Sequence, residues 1–354
     1  MKSMKRLLSL VLALAATATL LTGCGGGGDS GGGGGDAAGG KDSYELRIAT
    51  HYNQEHLGYE SLTRIKEKLE AESDGRLKVT IYPSSQLGDY TLTFQELSEG
   101  TIDMALIPIP SEYDSRLEMN FIPYLVNSYD DLEASFGKDS YFFGKYTEIM
   151  SDLNIKLLGV YAEGMIGLGF SSEPVDYQDV NSTNPDKKNM LVRAPAIEVY
   201  NLVTQDMGFS ATTIPYGDLY TAMQTGVCDG WIGGTPQLNY SDFRDVIKYY
   251  VPYNVFVENI GYLMSQEVFD GMPEDLQSLI EETFMAEAVN SYKTAKEGDE
   301  EAIQKMKDYG ITILELTDEE REAYKQHVVE VTWPKLSANI GEDILNELIA
   351  ANSK

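Results

Sequence analysis

The sequence predicts an α/β protein built as two lobes, and three observations lead to this class. Strand-like and helix-like segments alternate over residues 44–108, and the same alternation returns over residues 190–232. Alternation of this kind is typical of parallel sheets covered by helices. The roughly 310 residues that follow a Gly-rich leader exceed the size at which one hydrophobic core keeps growing. We therefore expect two lobes, each with its own sheet.

The first alternation begins with the apolar run Tyr44–Thr50, which predicts a strand. Leu62, Ile65 and Leu69 then recur at helical spacing, and Gly75 follows as a helix stop. Next come a strand in RLKVTIYP, a helix in TLTFQELSEG and a strand in TIDMALIP. The order strand, helix, strand, helix, strand predicts parallel pairing in this lobe.

The middle of the chain continues the pattern, with one helix near 130–150 and strands near 155–161 and 168–171. The second alternation then has strands and helices in the order 190–193, 196–207, 210–214, 218–224 and 227–232. Such a set predicts a second α/β layer.

A long helix is predicted from Pro273 to Tyr309, because this stretch is rich in helix-forming residues. Proline stands at its start and Gly310 directly after its end, where helices usually begin and end. A helix of this length could run across both lobes.

The N-terminus has the three-part pattern of an export signal. Basic residues in MKSMKR precede an apolar run from Leu7 to Leu21, and small residues follow before Cys24. The run is too short for a lasting membrane span. Leu21-Thr22-Gly23-Cys24 resembles a bacterial lipoprotein cleavage box, which implies that residues 1–23 are a lipoprotein signal peptide and that Cys24 carries lipid. An ordinary signal peptide with a chance cysteine is the alternative.

Residues 24–43 are interpreted as the lipidated cysteine and a tether. The Gly-rich tract after Cys24 can bury nothing and loses too much entropy on ordering to fold. Its typical reach is roughly 24 Å. Two or more acyl chains anchor a protein stably. The sequence thus predicts an extracytoplasmic domain that is lipid-anchored to the cell membrane.

The charge excludes some partners. The formal net charge is -29, and removal of the signal peptide would take away further positive residues. Such a polyanion is not expected to bind nucleic acid, because that affinity depends on Lys and Arg displacing counterions from phosphates. It is not expected to lie flat on an anionic membrane either. Salt screens charge beyond about 8 Å, so a small anionic ligand stays possible if a cation acts at contact range.

Enzyme chemistry has little support in the sequence. His51, His56 and His327 have no metal-ligand spacing, and the HExxH, CxxC, GxSxG and Walker-type patterns are absent. Cys228 is interpreted as a small buried hydrophobe rather than a nucleophile, and it has no disulfide partner if Cys24 is lipidated. We expect no catalytic residue, no metal and no cofactor.

Two features remain open at this level. DGWIGGTP offers glycines that could form an anion nest, but no lysine follows, so a tight turn or a close approach of the backbone to a ligand is preferred. Arg193, in NMLVRAPAIEVYN, is the only arginine between Arg116 and Arg244. A surface salt bridge is its simplest interpretation.

Four blocks of sequence together resemble a known family. GRLKVTIYPSSQLGDY, EGTIDMALIP, LVRAPAIEVYNLVTQDMGFSATTIPYGDLYTAMQTGVCDG and MPEDLQSLIEE are similar, in order and spacing, to the DctP-type solute-binding proteins of tripartite ATP-independent periplasmic (TRAP) transporters. The resemblance runs from about Tyr44 to the C-terminus. It implies a two-lobed, periplasmic-binding-protein-like fold with hinge strands and a long lobe-spanning helix. Lobe I would comprise 44–170 plus 259–298, and lobe II 171–258 plus 299–354.

The resemblance also implies a binding site. In the family an arginine at the end of the strand before "xP" binds the ligand carboxylate, and that position is Arg193 here. A guanidinium meets a carboxylate with two parallel hydrogen bonds and keeps its proton. In a closed cleft such a pair about 4 Å apart attracts by roughly 4 kcal/mol before desolvation is subtracted.

Further ligand contacts follow from the same resemblance. His51 ends the first strand and would contact the ligand, with a surface or capping role as the alternative. Tyr216 and Tyr90 would line the pocket, with core packing as the alternative for Tyr216. Trp231 would stack on the ligand or pack in the core, and Gly233 stands where many members have an asparagine.

One departure bears on the ligand. The second arginine of the family's "GxR" segment is replaced in Gly164-Met165-Ile166 by isoleucine. Two polar groups are thereby lost from the expected pocket, one at Ile166 and one at Gly233. An acid with one carboxylate and a less polar body becomes more plausible than a dicarboxylate or a sialic acid.

The resulting hypothesis is an extracytoplasmic solute-binding lipoprotein of a TRAP transporter. It would capture a small organic acid by lobe closure and deliver it to the membrane permease subunits. A similar binding protein that serves an ATP-driven importer or a sensor kinase is the first alternative. A lipid-anchored hydrolase is the second.

Overall fold

The computed structural model describes residues 43–180 and 188–352. The predicted signal peptide, the lipidation site Cys24 and the predicted tether up to residue 42 lie outside the described residues. Within the described ranges, no helix combines the length and the apolar character that a membrane crossing requires.

Strands and helices alternate through the described chain much as the sequence predicts. The strands are β1 Tyr44–Thr50, β2 Leu77–Tyr82, β3 Met104–Ile107, β4 Ile155–Met165, β5 Gly167–Phe170, β6 Leu191–Ala194, β7 Ser210–Thr213, β8 Gly230–Gly234, β9 Tyr249–Val251, β10 Val257–Ser265 and β11 Thr312–Ile313. The helices are α1 Leu57–Glu72, α2 Tyr90–Ser98, α3 Leu132–Phe136, α4 Tyr141–Asp152, α5 Glu198–Asp206, α6 Tyr216–Thr225, α7 Pro236–Phe243, α8 Gln266–Asp270, α9 Glu274–Tyr309, α10 Asp318–Val331, α11 Trp333–Ile340 and α12 Glu342–Asn352.

The first sheet has the strand order β2-β1-β3-β10-β4. β1, β2 and β3 are parallel, as predicted, because α1 returns the chain between β1 and β2 and α2 returns it between β2 and β3. β10 lies antiparallel between β3 and β4, and this strand was not predicted from the sequence. A strand that arrives from a distant part of the chain leaves no local sign of its partners.

The second sheet has the order β11-β9-β5-β8-β6-β7. β6 is parallel to β7 and β8, whereas β5 runs antiparallel to β8 and β9. This sheet confirms a second α/β layer.

The chain crosses between the two sheets with very short connections. β4 of the first sheet ends at Met165 and β5 of the second begins at Gly167, so Ile166 alone separates them. The return crossing runs from β9 to β10, over residues 252–256. These two crossings occupy the place of the predicted hinge strands.

The long helix α9 has 36 residues, in agreement with the predicted range. It begins directly after Pro273 and ends at Gly310, whose φ of 105° suits a residue without a side chain. Because α9 packs on β4 of the first sheet and contacts β11 of the second, it joins both layers.

Two predicted features differ from the structure. The single helix expected near 130–150 is divided into α3 and α4, because Gly137 is extended after α3 and Ser140 caps the start of α4. The lobe boundaries remain predictions, but β5 joins the second sheet although it was assigned to lobe I. The C-terminal helix α12, assigned to lobe II, packs on α3 and α4 with Leu345 and Leu348 buried.

Candidate ligand-binding site

A cavity with an empty volume of about 380 Å³ lies where residues of the two sheets meet. The first sheet contributes His51, which follows β1, and Glu258 in β10. The second sheet contributes Arg193 in β6 and Gly233 in β8. A ligand in the cavity would therefore contact residues of both sheets.

Arg193 is held rigidly in the second sheet. It is the third residue of β6 and is flanked by Thr212 on one neighbouring strand and Trp231 on the other. Its exposed fraction is 1%, and its Nε donates a 2.8 Å hydrogen bond to the backbone oxygen of Ile214. The buried Nη2 atom has no partner among the described residues. The surface salt bridge considered above is thus wrong for the described chain.

The electrostatic state of Arg193 is unusual. Burial lowers the pKa of Arg193 from its ordinary value, and the nearby hydroxyls of Tyr90 and Tyr216 oppose this shift. The guanidinium keeps its charge even so, because arginine cannot lose its proton in proteins. A buried charge without a counter-charge costs several kcal/mol. The arrangement is therefore one that an anion in the cavity would stabilise.

His51 lies in the interior and not on the surface. Its exposed fraction is 5%, and burial lowers the pKa of His51 to about 3, so the ring is neutral. Its ring centre lies 4.0 Å from that of Tyr52 and 5.6 Å from that of Tyr216. The buried Nδ1 atom has no partner in the described part of the chain. A neutral imidazole in this position can hydrogen-bond a polar ligand.

Tyr90 and Tyr216 both line the cavity, as the sequence predicts. The Tyr90 hydroxyl, at the start of α2, accepts a 3.2 Å hydrogen bond from the backbone NH of Ala196. The Tyr216 hydroxyl donates to Asp242 Oδ2 at 2.7 Å, and its ring centre lies 6.0 Å from Arg193 Cζ. Both rings therefore form walls beside the guanidinium.

Gly233 lines the cavity and Trp231 does not. Trp231 is fully buried, donates from Nε1 to Asn239 Oδ1 at 3.0 Å and packs against Phe243 with ring centres 4.5 Å apart. Its indole also covers Gly234, where an added Cβ would collide with it. The core-packing alternative thus describes Trp231. The glycines of DGWIGGTP form the strand β8 and not an anion nest.

Two polar residues of the cavity lining, Tyr200 and Glu258, were not predicted from the sequence. The Tyr200 hydroxyl donates to Glu258 Oε2 at 2.9 Å. Glu258 is 4% exposed, and burial together with nearby Glu163 raises the pKa of Glu258 well above its usual range. A lone acid inside the apolar run VFVENIGYLM is the signal that could have revealed it.

A second buried acid, Glu163 of β4, is next to Gly164, the register partner of Glu258. Its carboxylate accepts hydrogen bonds from the hydroxyls of Tyr52, at 2.5 Å, and of Thr235, and it lies 3.4 Å from His56 Nε2. Burial alone would raise the pKa of Glu163, but His56 and these hydrogen bonds outweigh burial, so the pKa is lowered. Glu163 is thus a buried anion whose charge is stabilised by hydrogen bonds from the protein and by the neighbouring His56.

Metal and nucleophile chemistry find no support in the described ranges. No group of three His, Cys, Asp or Glu side chains is placed there to hold a metal ion. Cys228 is buried with its Sγ 3.5 Å from Met223 Sδ, and burial raises the pKa of its thiol. A raised pKa keeps the thiol protonated and unreactive.

Comparison with known sequences agrees with this architecture. Residues 48–337 match the family model DctP, described as bacterial extracellular solute-binding protein, family 7. The sialic acid-binding periplasmic protein SiaP of Vibrio cholerae is 23% identical over 294 residues, which cover 82% of this chain and 88% of the relative. The C4-dicarboxylate-binding periplasmic protein DctP of Rhodobacter capsulatus is 26% identical over 304 residues, covering 82% and 86%.

Solved structures share the fold. A TRAP periplasmic solute-binding protein of Shewanella oneidensis with bound succinate superposes with a TM-score of 0.78 at 21% identity, covering 88% of this chain and all of that one. The sugar acid-binding protein DctPAm of Advenella mimigardefordensis with galactonate gives 0.79 at 18% identity, covering 88% and 98%. The two-lobed fold that the sequence predicts is thereby confirmed. This chain belongs to the DctP family, the bacterial extracellular solute-binding proteins of family 7.

Proposed function

We propose that this protein captures a small carboxylate-containing organic acid between its lobes and delivers it to the membrane permease of a TRAP transporter. One observation carries the proposal: Arg193 is a buried cation on the cavity wall whose Nη2 atom has no partner in the described chain. A ligand carboxylate would supply the missing counter-charge and accept the free hydrogen bond. The acids named for the related proteins support the same chemistry.

Lobe closure is the proposed means of capture. Several hydrogen bonds join elements of the first sheet to elements of the second around the cavity. The Asn53 amide donates to Asp242 Oδ1 at 2.5 Å, and Arg244 donates to Glu55 at 3.0 Å. A bound acid would add contacts to both lobes and so stabilise the arrangement in which these bonds are made.

The ligand is proposed to carry a single carboxylate. Arg193 supplies the cationic side chain of the cavity wall, while Ile166, which replaces the family's second arginine, is fully buried in an apolar cluster. Among the described residues, the cavity is lined by no second lysine or arginine that could pair with another carboxylate. If succinate binds tightly while monocarboxylates do not, this ligand class is wrong.

The place of action is proposed to be the outer face of the cell membrane, with Cys24 lipidated and the Gly-rich tract as a tether. Conversion of Cys24 to alanine should release the protein from membranes into the soluble fraction without changing ligand affinity. Fractionation after expression with a radiolabelled fatty acid checks this. Membrane retention of the C24A variant would contradict lipid anchoring.

The first experiment is to denature the purified protein and identify the released small acid by mass spectrometry. Its affinity for the wild type and for R193A is then measured by calorimetry. Loss of Arg193 should cost about 2–5 kcal/mol, since the ligand charge loses its buried partner. R193K should recover part of the lost affinity, because the positive charge remains but the two parallel hydrogen bonds of the guanidinium are lost.

A matched control is R116A. Arg116 forms a partly exposed pair with Asp114, away from the cavity, so its loss should change affinity by less than about 1 kcal/mol. Circular dichroism establishes that each variant is folded. Equal affinity of the wild type, R193A and R193K would contradict the proposed role of Arg193.

A further inference from the structure

Two buried acids lie on the paired strands β4 and β10, where Glu163 is next to Gly164, the register partner of Glu258, and they differ in how well their charges are stabilised. Glu163 receives hydrogen bonds from Tyr52 and Thr235 and lies beside His56. Within the described ranges, the Glu258 carboxyl group receives one hydrogen bond, from Tyr200 at 2.9 Å, and forms no ion pair. The surroundings therefore favour a negative charge on Glu163 and not on Glu258.

The titratable groups around Glu258 come from six elements. They are Tyr200 of α5, Glu163 of β4, Arg193 of β6, and His51 and Tyr52 just after β1, and Tyr90 of α2 and Tyr216 of α6 line the same cavity. Arg193 is on the cavity wall but not within ion-pair distance of Glu258 in the described chain. His51 is neutral, because burial lowers its pKa to about 3. No neighbour thus offers Glu258 a compensating positive charge at contact range.

Two neighbouring buried carboxyl groups do not both ionise, and their environments push their pKa values apart. The member that accepts more hydrogen bonds, here Glu163, takes the negative charge. The other member is Glu258, whose pKa is raised by burial and by the nearby charge of Glu163. With Oε2 accepting from Tyr200, the second oxygen of Glu258 is free to donate into the cavity.

We propose that Glu258 is a ligand-positioning residue that donates a hydrogen bond, from a protonated carboxyl group, to a neutral oxygen of the bound acid. The inference rests on the proposed function and narrows it. The ligand class becomes monocarboxylates that carry a hydroxyl or carbonyl oxygen in addition to the carboxylate held by Arg193. Capture of the ligand is then coupled to the uptake of one proton.

The pH dependence follows from the position of Glu258 between the lobes. Opening of the lobes hydrates Glu258 and returns its pKa towards the ordinary value of about 4.3. Closure raises the pKa, so the closed form binds the proton more tightly than the open form. Affinity is constant below the open-form pKa. It falls by up to tenfold per pH unit as the pH rises from the open-form pKa to the closed-form pKa.

The test uses pairs of monocarboxylates that differ in one oxygen: propionate and lactate, butyrate and 3-hydroxybutyrate, hexanoate and 6-hydroxyhexanoate. Calorimetry from about pH 5 to about pH 9 measures affinity and, in buffers of different ionisation enthalpy, the proton uptake. For the wild type we expect the hydroxylated member of a binding pair to bind about tenfold more tightly. We also expect affinity to fall with pH and proton uptake to accompany binding.

Two variants of Glu258 separate its roles. E258Q keeps a hydrogen-bond donor but cannot titrate. It should therefore keep the preference for the hydroxylated acid within a few fold and lose the pH dependence of the affinity. E258A should lose both. E267Q, at an exposed glutamate just after β10, is the control and should behave as the wild type. Infrared spectra of the complex should contain a protonated carboxyl band that E258Q removes.

The outcomes distinguish this inference from the proposed function. If no acid binds the wild type, or if R193A binds equally well, the proposed function fails and this inference fails with it. If acids bind through Arg193 but E258Q leaves the pH dependence unchanged, only this inference fails. Tighter binding of alanine than of lactate would also overturn it, because an ionised Glu258 would then pair with the ligand ammonium.

Discussion

At the scale of single residues, the cavity is defined by polar atoms that have no partner in the described protein. Arg193 Nη2 and His51 Nδ1 are both buried and unpaired there. Most buried polar atoms in proteins are hydrogen-bonded, so unpaired ones need an explanation. A polar ligand between Arg193 and His51 would satisfy both atoms at once.

Gly233 provides a residue-scale prediction. Its φ of 117° disfavours any residue with a side chain, although a Cβ would meet no atom closer than 3.6 Å. G233A should therefore lower the free energy of unfolding by about 1–3 kcal/mol through backbone strain. Chemical denaturation measures this change.

The matched control is G217A in α6, where an added Cβ has open space around it. Alanine is the better helix former, so G217A should raise stability by about 0.5–1 kcal/mol. Equal effects of the two substitutions would show that backbone strain at Gly233 is not the cause.

At the scale of elements, the long helix α9 is hydrogen-bonded to β4, the strand that leads from the first sheet to the second. Asp299 in α9 accepts hydrogen bonds from the Met165 NH at 2.8 Å and the Tyr129 hydroxyl at 2.7 Å. An added Cβ at Gly164 would overlap the Asp299 carboxyl. The helix and the crossing strand are therefore fitted to each other at the point where the lobes join.

Asp299 should contribute to stability mainly as a neutral acid. Burial raises the pKa of Asp299 well above its usual range. D299A leaves the Met165 NH unpaired and should cost about 1–3 kcal/mol, while D299N should cost less because the amide can still accept. Urea denaturation of the three proteins checks this order.

The sign of the pH effect at Asp299 is fixed by the raised pKa. The folded state holds the proton more tightly than the unfolded state, so stability is full at acidic pH and falls as the pH rises through the folded-state pKa. D299N should flatten this decline. D308N, at an exposed aspartate of the same helix, should keep it. An unchanged decline in D299N would contradict the assignment.

At the scale of the whole molecule, the chain has a net charge of -29 yet offers a positive group inside its cavity. The long-range field repels an anionic ligand, whereas the contact with Arg193 attracts it. Salt screens the first effect strongly and the second weakly, because Arg193 is buried. The two effects can therefore be separated by ionic strength.

Raising the ionic strength from about 10 mM to about 150 mM shortens the Debye length from about 30 Å to about 8 Å. The association rate constant for the acid should rise, and the dissociation rate constant should change little. Stopped-flow tryptophan fluorescence measures both. Two salts at equal ionic strength should agree. An association rate that falls with salt would indicate that a local positive field, and not the net charge, guides the ligand.

Local patterns predicted much of the fold. The alternation of apolar runs and helical spacing gave β1 to β3, the second layer and α9, because these signals depend only on neighbouring residues. The antiparallel strand β10 was missed, because its partners are set by contacts between distant segments. The break at Gly137 was missed because it depends on one extended residue and one capping serine.

The sequence by itself determined the α/β class, the family and the position of Arg193 at the end of a strand. Only the tertiary structure decided that Arg193 is buried without an ion pair in the described chain, that Trp231 belongs to the core, and that Glu258 faces the cavity. The physical reason is one of range. The hydrophobic period and the ends of strands depend on residues that are neighbours in the sequence. Burial and charge compensation depend on which distant segments come into contact.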